Sequence, residues 1–153
     1  MIHEVNENLS WGDLFSVLEA AETFEAVLNV GRAIKDYPLP GTEYKLMHFE
    51  DQDPFPCDDI WECILWIDHK ITEGKRVYVH CHQGNSRSVS IIVAYLHYKG
   101  IAFEDAFDLV LKIKPLCTIA GKTTDTPLPV RAWFVRDWPK FVETKTKPDQ
   151  SKF

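Results

Sequence analysis

Short apolar runs and helical stripes take turns along this chain, and that alternation limits the folds open to it more than any other feature. Glu25-Ala-Val-Leu-Asn-Val30 closes on Gly31 and reads as a buried strand. Tyr44-Lys-Leu-Met-His-Phe49 alternates weakly and reads as a second strand, and Lys75-Arg-Val-Tyr-Val79 as a third. Helical stretches separate them. Ser16 to Glu22 is a short helix and the first regular element expected. The next can be capped by Asp58 or Asp59, carries Ile60, Trp61, Ile64, Leu65, Ile67 and Ile71 as its apolar stripe, and stops at Gly74. Ser88 to Tyr98 is strongly apolar and stopped by Gly100; Phe103 to Lys114 is amphipathic and stopped by Pro115. Val130 to Val142 resumes helical spacing through Trp133, Phe134 and Trp138, where Pro139 should kink or shorten it. Asp36 to Gly41, Asp51 to Pro56 and Cys117 to Pro129 are irregular. Strands separated by helices predict a single α/β domain with a mainly parallel central sheet flanked by helices on both faces.

The bulk properties agree. A chain of 153 residues, 45% apolar, is about one domain and can build its own core. That domain is expected over residues 1–142, with 143–153 as a polar, frayed tail. Seventeen Lys and Arg against 23 Asp and Glu give a net charge of −6, which argues against general binding to nucleic acid. No apolar run reaches the roughly 20 residues that span a bilayer, and Met1 to Ser10 lacks a leader pattern, so a soluble, cytoplasmic protein is expected, with no membrane partner. Cys57, Cys63, Cys81 and Cys117 have no metal-binding spacing, so no metal or other cofactor is implied. Three of them read as small apolar fillers; Cys81 stands apart.

In parallel sheets ligands bind beyond the carboxyl ends of the strands, which points to the segment after Val79. It reads His80-Cys81-His82-Gln83-Gly84-Asn85-Ser86-Arg87-Ser88 and joins a strand to a helix N-terminus. A loop curled there turns several backbone N–H groups inward, beside the positive end of the helix dipole. Gly84 and Asn85 suit a tight turn that lets those amides converge. Arg87 adds a planar fork matched to two phosphate oxygens. The cradle formed by His82, Gln83, Gly84, Asn85, Ser86 and Arg87 fits a tetrahedral dianion. A thiol in such a field loses its proton readily, so the cradle holds phosphorus above an activated sulfur. Ser88 can donate to that sulfur when it departs, and His80 can brace the loop. Expelling an alkoxide or phenolate also needs a general acid. The Pro-rich loop after the second strand offers Asp51 and Asp53, and on this argument either can serve.

His80 to Ser88 resembles the H-C-x-x-G-x-x-R-[ST] loop of the cysteine-dependent protein phosphatases, most closely that of the small, atypical dual-specificity phosphatases. Phe24 to Val30 resembles that family's early strand, Phe49-Glu-Asp51 followed by Ile60-Trp61 its acid loop, and Ala102 to Pro115 the helix after its active-site helix. The resemblance runs from about Leu9 to Pro115 and fades in Cys117 to Pro129. It implies a protein-tyrosine-phosphatase-like fold over residues 1–142, Cys81 as nucleophile, Arg87 as phosphate clamp and Ser88 as donor to the leaving thiolate. Asp51, 30 residues before Cys81, falls where the family's acid sits, with Asp53 second.

The implied activity is hydrolysis of phosphomonoesters on tyrosine, serine or threonine through a phosphocysteine, with a phosphorylated protein or peptide as partner. A phosphoinositide or RNA 5′-phosphate substrate and a catalytically silent phosphate-binding module are the alternatives. The absence of Lys inside the loop and the negative charge weigh against the first two. The presence of Cys81, Arg87, Ser88 and an upstream Asp together weighs against the third. The physiological substrate and the oligomeric state stay open. A disulfide between an oxidised Cys81 and Cys57 or Cys63 requires the fold to bring either sulfur within reach. Arg131, Arg136 and Lys140 read as a solvated helix face, and Trp61, Trp66 and Trp133 as core.

Overall fold

The structure, a computed structural model, describes residues 1–31, 40–50, 55–82, 86–115 and 129–145, with 129–133 described as backbone only. Five strands, β1 (Ile2–Glu4), β2 (Leu9–Gly12), β3 (Ala26–Asn29), β4 (Glu43–Leu46) and β5 (Val77–His80), form one sheet in the order β1-β2-β5-β3-β4. β2, β5, β3 and β4 run parallel, and only β1 is antiparallel, folded back on β2 with Ile2 opposite Gly12. The expected architecture is therefore present with a mixed edge. The first two strands were not expected. β1 has three residues and β2 four, too few for periodicity to show, and Ser10 and Gly12 dilute the apolar signal of Leu9 and Trp11.

Helices cover both faces unequally. α1 (Val17–Thr23) packs Val17 and Ala20 against Val27 of β3 and Tyr78 of β5. The opposite face carries α2 (Cys57–Thr72), α3 (Arg87–Tyr98), α4 (Phe103–Ile113) and α5 (Pro129–Glu143). There Ala26, Leu28, Val77 and Val79 meet Ile60, Ile64 and Ile67 of α2 and the almost wholly buried α3. The period-two alternation of β3 and β5 thus feeds two cores at once.

Three local expectations are corrected. α2 begins at Cys57 after Pro56, whose backbone (φ −60°, ψ 130°) sets the entry; Asp58 and Asp59 lie inside the first turn, where they face the positive end of the dipole instead of capping it. Its other end matches, with Gly74 at φ 84°. β4 stops at Leu46, short of Phe49: Met47 N–H still donates to Asn29 O at 2.9 Å, but the chain then turns Phe49 into the core. α5 continues through Pro139 to Glu143. Proline removes only the bond to the carbonyl of Val135, an exposed residue where water can take the acceptor.

Phe134 and Trp138 of α5 are buried and Phe141 partly so, at a four-then-three spacing. Trp61 meets Tyr98 edge-on at 5.2 Å and Trp138 at 6.5 Å, and Trp66 lies partly buried under the Lys70 ammonium. Both serve packing, as expected; the side chains of Trp133 and Arg131 lie outside the described residues. Arg136 is exposed and donates to Asp137 at 2.7 Å, and Lys140 is exposed. No helix among the described residues is long and apolar enough to cross a membrane.

Candidate active site

The three central parallel strands end together, and their exits build the site. β5 ends at His80, so Cys81 leaves the sheet at its carboxyl edge, between the exits of β2 and β3. On the β3 side, Val30 N–H donates to His80 O at 2.8 Å, and the buried Asn29 side chain accepts from Gly31 N–H at 2.9 Å. That turn lays Gly31 directly on the backbone of Cys81. A Cβ at position 31 would stand 3.2 Å from Cys81 Cα and 3.4 Å from its carbonyl carbon. On the β2 side, Leu14 N–H donates to His82 O at 2.9 Å. The start of the loop is thus fixed from both flanks by main-chain bonds.

Cys81 is buried, with Ser88 Oγ 3.3 Å from its sulfur. Ser88 is the second residue of α3 and fully buried, so the helix start and the strand end bring a hydroxyl and a thiol together across seven positions of chain. Arg87, the first residue of α3, is also buried; its Nη1 donates to Phe49 O at 3.1 Å. His80 is fully buried, stacks on Tyr78 at 5.8 Å, and its Nδ1 lies 3.0 Å from Cys81 O. A carbonyl can only accept, so Nδ1 carries the proton. This ring holds the peptide that follows Cys81 and does not face the sulfur through that nitrogen.

Of the other residues expected in the cradle, Ser86 caps α3 with its carbonyl, which accepts from Ser90 N–H and Ser90 Oγ, each at 2.8 Å. His82 is exposed, with its ring edge-on to Phe15 at 5.7 Å. Gln83, Gly84 and Asn85 lie outside the described residues, as do the two candidate acids, Asp51 and Asp53. Phe49 and Phe55 are buried and stack at 4.4 Å, and it is Phe49's carbonyl that Arg87 holds.

The remaining described cysteines have a different character. Cys57 is half-buried and Cys63 buried; both are free, and burial pushes their thiols up to about 11 and about 12. Both are therefore protonated and poorly nucleophilic at neutral pH. Cys117 lies outside the described residues. Two contributors were not read from sequence. Gly31 reads in the sequence as a strand stop, although a glycine after an apolar run also signals close backbone approach. Phe49 acts through its carbonyl, which no side-chain pattern can announce.

Comparison with known proteins agrees with this geometry. The family model described as "Dual specificity phosphatase, catalytic domain" matches residues 11–120. Dual specificity protein phosphatase 1B of Arabidopsis thaliana is 52% identical over 50 residues, covering 32% of this chain and 30% of that protein. Dual specificity protein phosphatase 1 of the same plant is 31% identical over 94 residues, covering 60% of this chain and 48% of that protein. The chain thus spans less than half the length of these two relatives. The fold superimposes on the crystal structure of human DUSP28 with a TM-score of 0.77, covering 95% of this chain and 100% of that one at 17% identity. By the span of that domain match, which runs from within β2 through α4 and takes in the whole Cys81 loop, this chain belongs to the dual specificity phosphatase catalytic-domain family.

Proposed function

We propose that this chain hydrolyses phosphomonoesters of tyrosine, serine or threonine in proteins, through a phosphocysteine on Cys81. The observation that carries the reading is the pairing of Cys81 Sγ with Ser88 Oγ at 3.3 Å, at the N-terminus of α3. The amides at a helix start and the Arg87 fork hold the nonbridging oxygens of the phosphate. The Cys81 sulfur attacks phosphorus, the ester P–O bond breaks, and the departing oxygen takes a proton from Asp51, with Asp53 as the second choice. Water then attacks the phosphorus, the P–S bond breaks, and the Ser88 hydroxyl donates to the departing sulfur. Inorganic phosphate leaves. The bond from Arg87 to Phe49 O supports Asp51 as the acid, because it brings the chain two residues before that carboxylate to the phosphate clamp. Gln83, Gly84 and Asn85 complete the cradle in this reading. A reducing, cytoplasmic setting suits a mechanism that needs Cys81 unoxidised.

The test is hydrolysis of p-nitrophenyl phosphate and of a phosphotyrosine peptide in EDTA, comparing the natural chain with Cys81→Ser. Turnover by the first and none by the second is expected. Activity that survives Cys81→Ser overturns the mechanism, and silence of the folded, reduced natural chain on both substrates overturns the protein-phosphatase reading.

A further inference from the structure

One exposed apolar strip touches the site and is not used by the chemistry above. Phe15, in the 3₁₀ turn Leu14–Ser16, leaves 80% of its surface in water, and Leu18, in the first turn of α1, leaves 54%. Residues three apart share a helical face, so the two side chains form a short strip. Its near end is fixed to the phosphate loop by the bond from Leu14 N–H to His82 O and by the ring contact of Phe15 with His82. His82 directly follows the nucleophile in sequence. The turn beneath is itself held. Asp13 Oδ1 accepts from Ser16 N–H at 2.9 Å, and the Tyr78 hydroxyl donates to Asp13 O at 2.7 Å. Large apolar side chains kept in water on an anchored backbone offer an apolar partner its burial gain with little ordering left to do.

We propose that Phe15 and Leu18 form a docking strip for apolar side chains flanking the phosphorylated residue of a peptide, while the phosphate occupies the Cys81 loop. The proposal rests on the phosphatase reading and narrows its substrate class. Two residues of extended peptide span about 7 Å, more than the rise of about 5 Å from Phe15 to Leu18, and the strip starts at the ring contact of Phe15 with His82. Glu19 and Glu22 are exposed on the same helix, and the chain's net charge is −6, so a surface of many anionic headgroups is repelled more than one phosphopeptide, whose phosphate charge enters the Cys81 loop.

The test measures binding of two fluorescein-labelled phosphotyrosine peptides to the full chain carrying Cys81→Ser. One has leucine at the two positions on each side of the phosphotyrosine, and the other has serine there. The leucine peptide is expected to bind about five- to tenfold tighter, and Leu18→Ser or Phe15→Ser to bring that ratio below about twofold. Both positions are exposed, so these variants should keep their fold, and circular dichroism checks it. Equal binding of the two peptides overturns the proposal. So does a ratio that survives both substitutions. Turnover of p-nitrophenyl phosphate by the chain with Cys81 intact reports separately on the phosphatase reading: normal turnover with a flat peptide ratio removes the docking strip alone.

Discussion

Removing the Ser88 hydroxyl should split the reaction into a fast and a slow half. Ser88 is fully buried and its Oγ lies 3.3 Å from the Cys81 sulfur, so Ser88→Ala deletes one hydroxyl without opening a path for water to replace it. In the first step of the proposed mechanism the sulfur gives up negative charge to phosphorus, and the lost donor matters little. In the second step that charge returns to the sulfur, and the hydroxyl is the donor aimed at it. A hydrogen bond to a charged group contributes about 1.5–3 kcal/mol, which corresponds to roughly a 10- to 150-fold slower breakdown of the phosphocysteine. Rapid-mixing kinetics with p-nitrophenyl phosphate should therefore show a burst approaching one equivalent of nitrophenol, followed by a slow steady rate. Acid quench during that slow phase should trap phosphate on the protein. A kcat close to that of the natural chain with no burst, or equal slowing of both phases, refutes the reasoning.

Three further outcomes are expected. Gly31→Ala puts a methyl 3.2 Å from Cys81 Cα, so the loop must move by a few tenths of an ångström; kcat/KM for p-nitrophenyl phosphate should fall roughly 3- to 10-fold, with little change in thermal midpoint. Phe55→Leu removes a ring stacked at 4.4 Å on Phe49; if Asp51 is the acid, turnover of phenyl phosphate should drop several-fold more than that of p-nitrophenyl phosphate, whose better leaving group needs less protonation. Glu43, which lies 2.6 Å from both Lys70 and Lys75, has its carboxyl held down to about 2 by those two ammonium groups. Its folded value is depressed, so its contribution is complete above about pH 4.5 and disappears as pH falls towards 2. Glu43→Gln should therefore lower stability by about 0.5–1 kcal/mol at pH 7 in low salt, a small amount because the pair is partly exposed. Urea titrations should show that difference vanishing in acid and shrinking with added salt.

The elements legible in the sequence were those with long or doubly buried patterns. β3 and β5 supply side chains to cores on both faces, so they read as unbroken apolar runs. The stripe of α2 and the apolar mass of α3 span enough turns to set their period. β1 and β2 were missed because three or four residues carry no period, and because β2 earns its place by pairing with β5, a contact over 65 residues away in sequence. The site divides in the same way. The loop motif names Cys81, Arg87 and Ser88, since their chemistry depends on residue type and spacing. The Gly31 approach and the bond to Phe49 O depend on where separate strands end, which local pattern does not encode.

The contact between Arg87 and Phe49 has a consequence for how such a site can be dissected. Its acceptor is a main-chain carbonyl, so every substitution at Phe49 leaves the oxygen in place, and an alanine scan of that segment reports on ring packing alone. In the proposed mechanism, replacing Arg87 removes the phosphate fork and the loop tether together, so its kinetic penalty is a sum that side-chain chemistry cannot separate. An amide-to-ester exchange at the peptide joining Phe49 to Glu50 weakens that one acceptor while preserving every side chain. Semisynthesis, more than mutagenesis, is the route to weighing the tether by itself.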